Sequence, residues 1–397
     1  MTAPTPATPP PVRQDPRAIA LLLAASLTVM AAATISPALP GIQREFPDTE
    51  LNRLLVRLLV PAPSLSVVLT AWLCGIFTDR IGRRPLLLSG VALFAVAGSA
   101  GLFLHDLNAL LASRLLLGVA LAMVMTAQSA LSGDYFSGNA LHTLIGAQVA
   151  ARNLGGFVFI TLAAALAVHS PRLPFVVYAI PALMLPFFSR VIAETPRHSA
   201  SDRTDASSEH QGWQIRVALL ALGKMLVTII FFVMPTQLPF YLQDQGFGAP
   251  AMSGAGLAAL MLAGGATAIL YPRIRNLLGD GGNWACGFLV MASGFALLVS
   301  TASASGIIAA CAAIGAGYAL STPGFVALSL TAAPPSGRGR TGAILTASVF
   351  LGQFLSPFIS LPAIGYWGWH IAGIGLAAGL VATAILVAIT SRLYRPA

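Results

Sequence analysis

The stretch GAQVAARNLGGFVF (146–159) sets an arginine, Arg152, in a run that is otherwise apolar. Lys224, the only lysine of the chain, stands likewise in ALGKMLV, and Arg114 in ASRLLLGVALA. A guanidinium keeps its proton, and at a bilayer centre such a charge costs at least about 2.5–3.5 kcal/mol. The 13 acidic residues offer no partner within the apolar runs: from Asp15 to Asp280, all fall in loops, tails or run ends. Interior cations without carboxylates seek water or an anion, so the chemistry these residues suit is recognition of a negatively charged ligand. Asn153, Gln128, Gln237, Tyr318 and Gln353 are the polar or aromatic residues near enough in depth to complete such a site.

Each of these residues also has a plainer reading. Arg152 could donate to backbone carbonyls at a Gly-rich turn, and Lys224 could extend its stem toward the surface. Arg114, with Asp106 toward the nearer membrane face, could serve structure or coupling. Gln237, inside MPTQLPFY (234–241), could repair a helix broken by Pro235 and Pro239.

The elements that must hold these residues follow from composition. Of 397 residues, 56% are hydrophobic and only 9% charged, and the mean hydropathy is +0.81. Soluble domains carry charge on about a quarter of their residues. Apolar runs of about 20 residues are each one bilayer crossing at 1.5 Å per residue. Twelve are expected, near 17–40, 57–78, 85–104, 109–133, 140–167, 173–193, 214–242, 250–272, 283–302, 305–331, 341–363 and 367–391. Domain organisation follows: a disordered tail at 1–16, six spans over 17–193, a polar linker at 194–213, six spans over 214–391 and a short tail at 392–397. The first run is too long for a signal-peptide core and lacks a cleavage site, so it is read as an uncleaved span.

Basic residues come in short clusters between spans, which fits orientation signals and not a nucleic-acid face. With the N-terminus inside, fifteen arginines fall on the inner side and four on the outer, placing both termini in the cytoplasm of a cell membrane. The three cysteines are isolated in apolar segments, the six histidines are scattered, and no phosphate-cradling Gly-x4-Gly-Lys-Ser/Thr exists. No enzyme chemistry, metal or cofactor is expected.

Between the second and third spans lies GIFTDRIGRRP (75–85), an ordered set of Gly75, Asp79, Arg80, Gly82, Arg83 and Arg84. It resembles the signature loop of the major facilitator superfamily of secondary transporters. RLLLGVALA (114–122) and SPALPGIQREF (36–46) are similar to motifs of that superfamily's twelve-span drug:proton antiporters. That branch usually carries a Gly-Pro pair in its fifth span, where this chain has Arg152 and Asn153 among Gly146, Gly155 and Gly156.

The resemblance implies an all-α membrane protein with twelve transmembrane helices in two pseudo-symmetric six-helix bundles, working by alternating access. It also implies a gate in which Asp79 faces the N-terminus of the eleventh span, SGRGRTGAIL (336–345), beside Arg338 and Arg340. Asp134, at the end of span 4, is placed to pair with Arg83 or Arg84. The expectation is a monomeric exporter of an organic anion or acidic amphipath, with protons as a candidate coupling ion. A multidrug exporter of neutral or cationic compounds and an organic-acid importer stay open beside it.

Overall fold

The computed structural model describes residues 14–194, 213–334 and 337–393, apart from the side chains of Asp79, His142, Asp280 and 390–393. The expected N- and C-terminal tails and the central linker lie almost wholly outside the described residues. Apolar runs in a bilayer must satisfy their backbone internally, and the described chain is helical nearly throughout. Eight helices form the first half: α1 (Pro16–Ala33), α2 (Leu39–Gln43), α3 (Glu50–Leu58), α4 (Ala62–Ile81), α5 (Arg83–Ser99), α6 (Leu107–Tyr135), α7 (Gly138–Ala167) and α8 (Ile180–Val191). Four long ones form the second: α9 (Trp213–Asp244), α10 (Pro250–Ser300), α11 (Ala304–Ala332) and α12 (Arg338–Leu393).

Ten of the helical stretches are long and apolar enough to cross a bilayer, and α3 with α4, bent by 55°, makes an eleventh crossing. The 52-residue stretch Arg338–Ile389 would be about 78 Å long if straight, well over twice a hydrocarbon core of about 30 Å. It bends at Gly368, where φ is +75°, and so crosses twice. A similar glycine, Gly279 at φ +69°, folds α10 into two arms. Only glycine takes such a backbone without strain, which lets neighbouring spans join with almost no loop. Twelve crossings result. The first arm of α10 runs on to Gly279, past the end expected at 272, because Pro272 is carried inside the helix.

Short polar residues cap the starts of four helices. Asp15, Thr49, Asp106 and Ser303 each accept a backbone N–H from the first turn of α1, α3, α6 and α11. Each half buries its own apolar core, around Leu27, Phe94, Leu117 and Phe175 in the first and Leu260, Phe288, Met291 and Ile314 in the second. The halves meet where α7 lies on α10 and α4 on α12. Large apolar side chains such as Leu183 (80% exposed) and Leu277 (84%) point outward, as they do when the surrounding solvent is lipid.

Close approach of helices depends on small residues, since lipid gives apolar side chains no reason to prefer each other. At Gly118 in α6, an added Cβ would overlap the Pro63 carbonyl and sit 2.7 Å from the Ser66 Cβ of α4. Gly118→Leu is therefore expected to cost about 1–3 kcal/mol through overpacking, read as a lowered melting temperature of the detergent-purified protein. A melting temperature equal to the parent's would contradict this packing.

Candidate functional site

A cavity of about 620 Å³ lies between the halves, and each wall is one face of a helix. From α7 come Leu141, Ile145, Gln148 and Arg152, spaced by four, three and four residues. From α6 come Met125, Gln128, Ser129 and Ser132, and from α12 Leu345, Thr346, Val349, Phe350 and Gln353. Lys224 of α9 and Thr28 of α1 complete the deeper part. Gly133, Leu141, Leu330 and Gly342 bring the cavity to the end of the bundle that carries the 75–85 loop. Arg152 stands fourteen residues into α7, about 21 Å along its axis, so its guanidinium belongs to the membrane's middle.

Among the described residues, no Asp or Glu lines this cavity. Arg152 makes no hydrogen bond or ion pair with a described residue, and its Nε and the Thr28 hydroxyl are both buried without a partner. Lys224 is 7% exposed and likewise has no carboxylate partner among the described residues. On the wall beside them, Gln148 Nε2 donates to Ser132 Oγ at 3.0 Å, and Ser132 donates onward to the Gln128 carbonyl at 2.8 Å. The cavity thus offers two cations from opposite halves, amide and hydroxyl groups, and an apolar face of Met125, Leu345, Val349 and Phe350. Such a surface can hold an anion with an apolar body.

The glycines around Arg152 explain its setting. At Gly155 an added Cβ would lie 2.6 Å from the Ser26 Cβ of α1, and at Gly156 2.6 Å from Val29 Cγ1. These two residues bring α7 tight against α1 and leave Arg152, one turn earlier, on the cavity face. Asn153 turns the other way, donating to the Val149 carbonyl at 3.0 Å and resting on Gly265 of α10.

Of the eight residues expected at a ligand site, Arg152, Lys224, Gln128 and Gln353 line this cavity and four do not. Asn153 sits at the contact of α7 with α10. Tyr318 stacks on Phe231 with ring centres 3.9 Å apart and lies 3.3 Å from Thr228 Oγ1. Gln237 does not repair its helix. Its side chain accepts from Arg57 Nε at 2.9 Å and donates to Ser360 Oγ at 3.0 Å, at the end away from the 75–85 loop.

Arg114 is fully buried inside the first half. It donates to the Gly98 carbonyl and stands over the rings of Phe175 and Tyr178, 5.0 and 4.7 Å away. Asp106 caps α6 instead of pairing with it. An aromatic cage with helix-end carbonyls as acceptors is what accommodates this charge. Sequence reasoning missed Gln148 as a cavity residue, although it stands one helical turn before Arg152 and so shares its face. It also missed Arg57, counted only among the four outer-side arginines and in fact 9% exposed.

At the open end, Arg83 Nε meets Asp134 Oδ2 at 3.1 Å, one of the two pairings expected. Glu194, not singled out beforehand, accepts the backbone N–H of Arg83 at 2.9 Å and of Arg84 at 3.2 Å, capping α5. Gly82 has φ +110°, and an added Cβ there would lie 2.7 Å from Glu194 Oε1. Arg84 also donates to the Ser189 carbonyl at 2.7 Å. These ties hold the loop to α6 and α8 of its own half. The Asp79 side chain lies outside the described residues. Arg80, Arg338 and Arg340 are exposed, and the Cβ directions of Gly75 and Gly342 point into open space.

With this geometry in place, known proteins give the chain a setting. The family model of the Major Facilitator Superfamily matches residues 21–357. No curated protein matches in sequence. Among solved structures, a D-xylose–proton symporter superposes with a TM-score of 0.75 at 17% identity, covering 91% of this chain and 96% of its own. The POT family transporter PepTSo gives 0.72 at 14%, covering 98% and 99%. The human organic anion transporter MFSD10 (TETRAN) gives 0.71 at 18%, covering 96% and 100%.

The Glu194 cap carries its own test. Glu194→Ala is expected to remove about 0.5–2 kcal/mol from the start of α5, the ordinary worth of an N-terminal cap. Amide hydrogen exchange over 83–86 should quicken in the variant, while exchange in α10 stays as in the parent. Unchanged exchange at 83–86 would contradict the assignment.

Proposed function

The chain belongs to the Major Facilitator Superfamily and is a secondary transporter; on that premise we propose that it carries an organic anion or acidic amphipath through its central cavity. The observation that carries this reading is the presence of Arg152 and Lys224 on one cavity with no carboxylate among its described lining residues. A cargo carboxylate supplies the counter-charge that the fold omits. Its apolar part rests on Met125, Leu345, Val349 and Phe350, and Gln128, Gln148 and Gln353 offer further hydrogen bonds. A carboxylate metabolite, a carboxylate siderophore or an acidic drug all meet that description. The human organic anion transporter of the same fold makes this cargo class compatible with the architecture.

Direction follows from charge placement. The positive-inside bias puts the open end of the cavity on the cytoplasmic side, together with both termini. A cavity open inward loads from the cytoplasm, and the motif likeness to twelve-span antiporters favours export. Arg152 and Lys224 belong to opposite halves, so a bound anion bridges them and is released as the halves rock apart. An inside-negative potential favours exit of an anion by about 2.3 kcal/mol per charge per 100 mV, a driving force that needs no proton exchange. A second reading, a proton-coupled exporter of neutral or cationic compounds, draws on the motif RLLLGVALA and leaves Arg152 structural.

The two readings part on charge removal. Arg152→Gln and Lys224→Gln should each weaken binding of di- or tricarboxylates by about tenfold to a few hundredfold, as expected for loss of one charge-assisted hydrogen bond. Binding of lipophilic cations and neutral compounds should hardly change. Calorimetric or thermal-shift titration of the purified variants, with vesicle flux across imposed potentials, reads both. Anion affinity unchanged in both folded variants would reject the anionic cargo and favour the second reading.

A further inference from the structure

The end of the bundle away from the 75–85 loop is shut by polar contacts that cross from one half to the other. Arg57 is at their centre. It sits in the last turn of α3, within ELNRLLVRLLV (50–60), and is nine-tenths buried. Its Nε donates to Gln237 Oε1, and its guanidinium carbon stands 3.8 Å from the centre of the Phe240 ring, both on α9. Within its own half, Nη1 donates to Gln43 Oε1 at 3.2 Å and to the Arg53 carbonyl at 3.1 Å. Gln237 then passes the connection to Ser360 of α12. Two further bonds cross between the halves: Ser36 Oγ to the Pro235 carbonyl beside Gln237, and, two helical turns of α12 deeper, Ser64 Oγ to Gln353 Oε1 at 2.6 Å. Gln353 also lines the central cavity, so this seal begins where the cavity stops.

Three features suit Arg57 to a contact that is made and broken. Its acceptor in the other half is a neutral amide, which holds a guanidinium far less firmly than a buried carboxylate does. Its helix is nine residues long and meets α4 at a 55° bend, with Pro61 and Pro63 at the joint, so it can tilt without dragging the whole span. A polar pocket of about 220 Å³, lined by Gln43, Arg44, Arg53, Gln243 and Asp244, adjoins the guanidinium. A charge leaving Gln237 therefore finds polar surroundings at once. Asp48, in the same pocket, is engaged by Arg53, whose hydrogen bond holds the carboxyl below its ordinary range.

We propose that Arg57 is the latch of the closed end: its bond to Gln237 and its seat on Phe240 break for the cavity to open there and re-form for it to close. This is a positioning role in alternating access, and it holds whatever the cargo is. The test uses no cargo. Cys74, Cys286 and Cys311 are replaced, Val349→Cys places a thiol in the cavity, and a membrane-impermeant maleimide is added to vesicles on the side of the closed end. The labelling rate then follows the fraction of molecules open at that end.

Arg57→Gln should raise that rate by about tenfold or more, the ratio that one charge-assisted hydrogen bond commands. Gln237→Glu, which turns the contact into an ion pair, should lower it, and labelling from the loop end should persist. Equal rates in the parent and in folded Gln237→Glu protein would overturn the latch, and so would an unchanged rate in Arg57→Gln. Should Arg57→Gln not fold, the Gln237→Glu rate decides alone. A failure here leaves the anion reading standing, and a failure of anion binding leaves the latch standing.

Discussion

A lipid solvent gives a buried charge nowhere to go, and the architecture of this transporter is arranged around that constraint. Arg152 and Lys224 are placed well inside helices rich in apolar residues, with no carboxylate partner among the described residues. Two cations so placed repel one another and draw water, which keeps the interface between the halves open there instead of packed. The rest of the interface closes around that opening. Gly155 and Gly156 press α7 onto α1, and Gly118 presses α6 onto α4, so the cavity is bounded by tight helix pairs on both flanks. The same residue type meets the opposite solution in the core of the first half. Arg114 is surrounded by Phe175, Tyr178 and free carbonyls, and there the charge serves as mortar between helices.

That contrast marks what the sequence could and could not say. Depth along a helix is readable by counting, because each residue adds a fixed rise; Arg152 and Lys224, counted to similar depth, line one cavity. Twelve crossings were readable because apolar run length maps onto bilayer thickness. Direction around the helix axis was readable only in part. Gln148, on the face of Arg152, was overlooked, whereas Tyr318 and Asn153, at suitable depth, point into helix contacts. Arg57 was hidden for another reason. A short amphipathic helix ahead of Pro61 looks like a polar loop until its partner on α9 is known, and Gln237 lies 180 residues away.

The two ends of the molecule are built from different bonds. At the end with the 75–85 loop, the ion pair of Arg83 with Asp134 and the Glu194 cap stay within one half and stiffen it as a unit. At the other end, amides and hydroxyls span the halves, and the single charge among them faces a neutral partner. Strong bonds therefore hold each half rigid, and weaker ones join the halves. A machine whose halves must rock as bodies needs that ordering, since reversing it would deform the halves before parting them.

One of those weaker bonds has an unusual origin. Proline has no N–H, so Pro239 leaves the carbonyl four residues earlier, that of Pro235, without its helical partner. The Ser36 hydroxyl of the opposite half takes that oxygen. The acceptor is thus main chain, and no change of side chain at position 235 can delete it. When position 239 regains an amide hydrogen, the helix competes for that oxygen and the serine bond is weakened, since the carbonyl must then serve two donors. Sequence drift at this crossing should accordingly be freer at 235 than at 239, with the imprint of the contact left on a residue that takes no part in it.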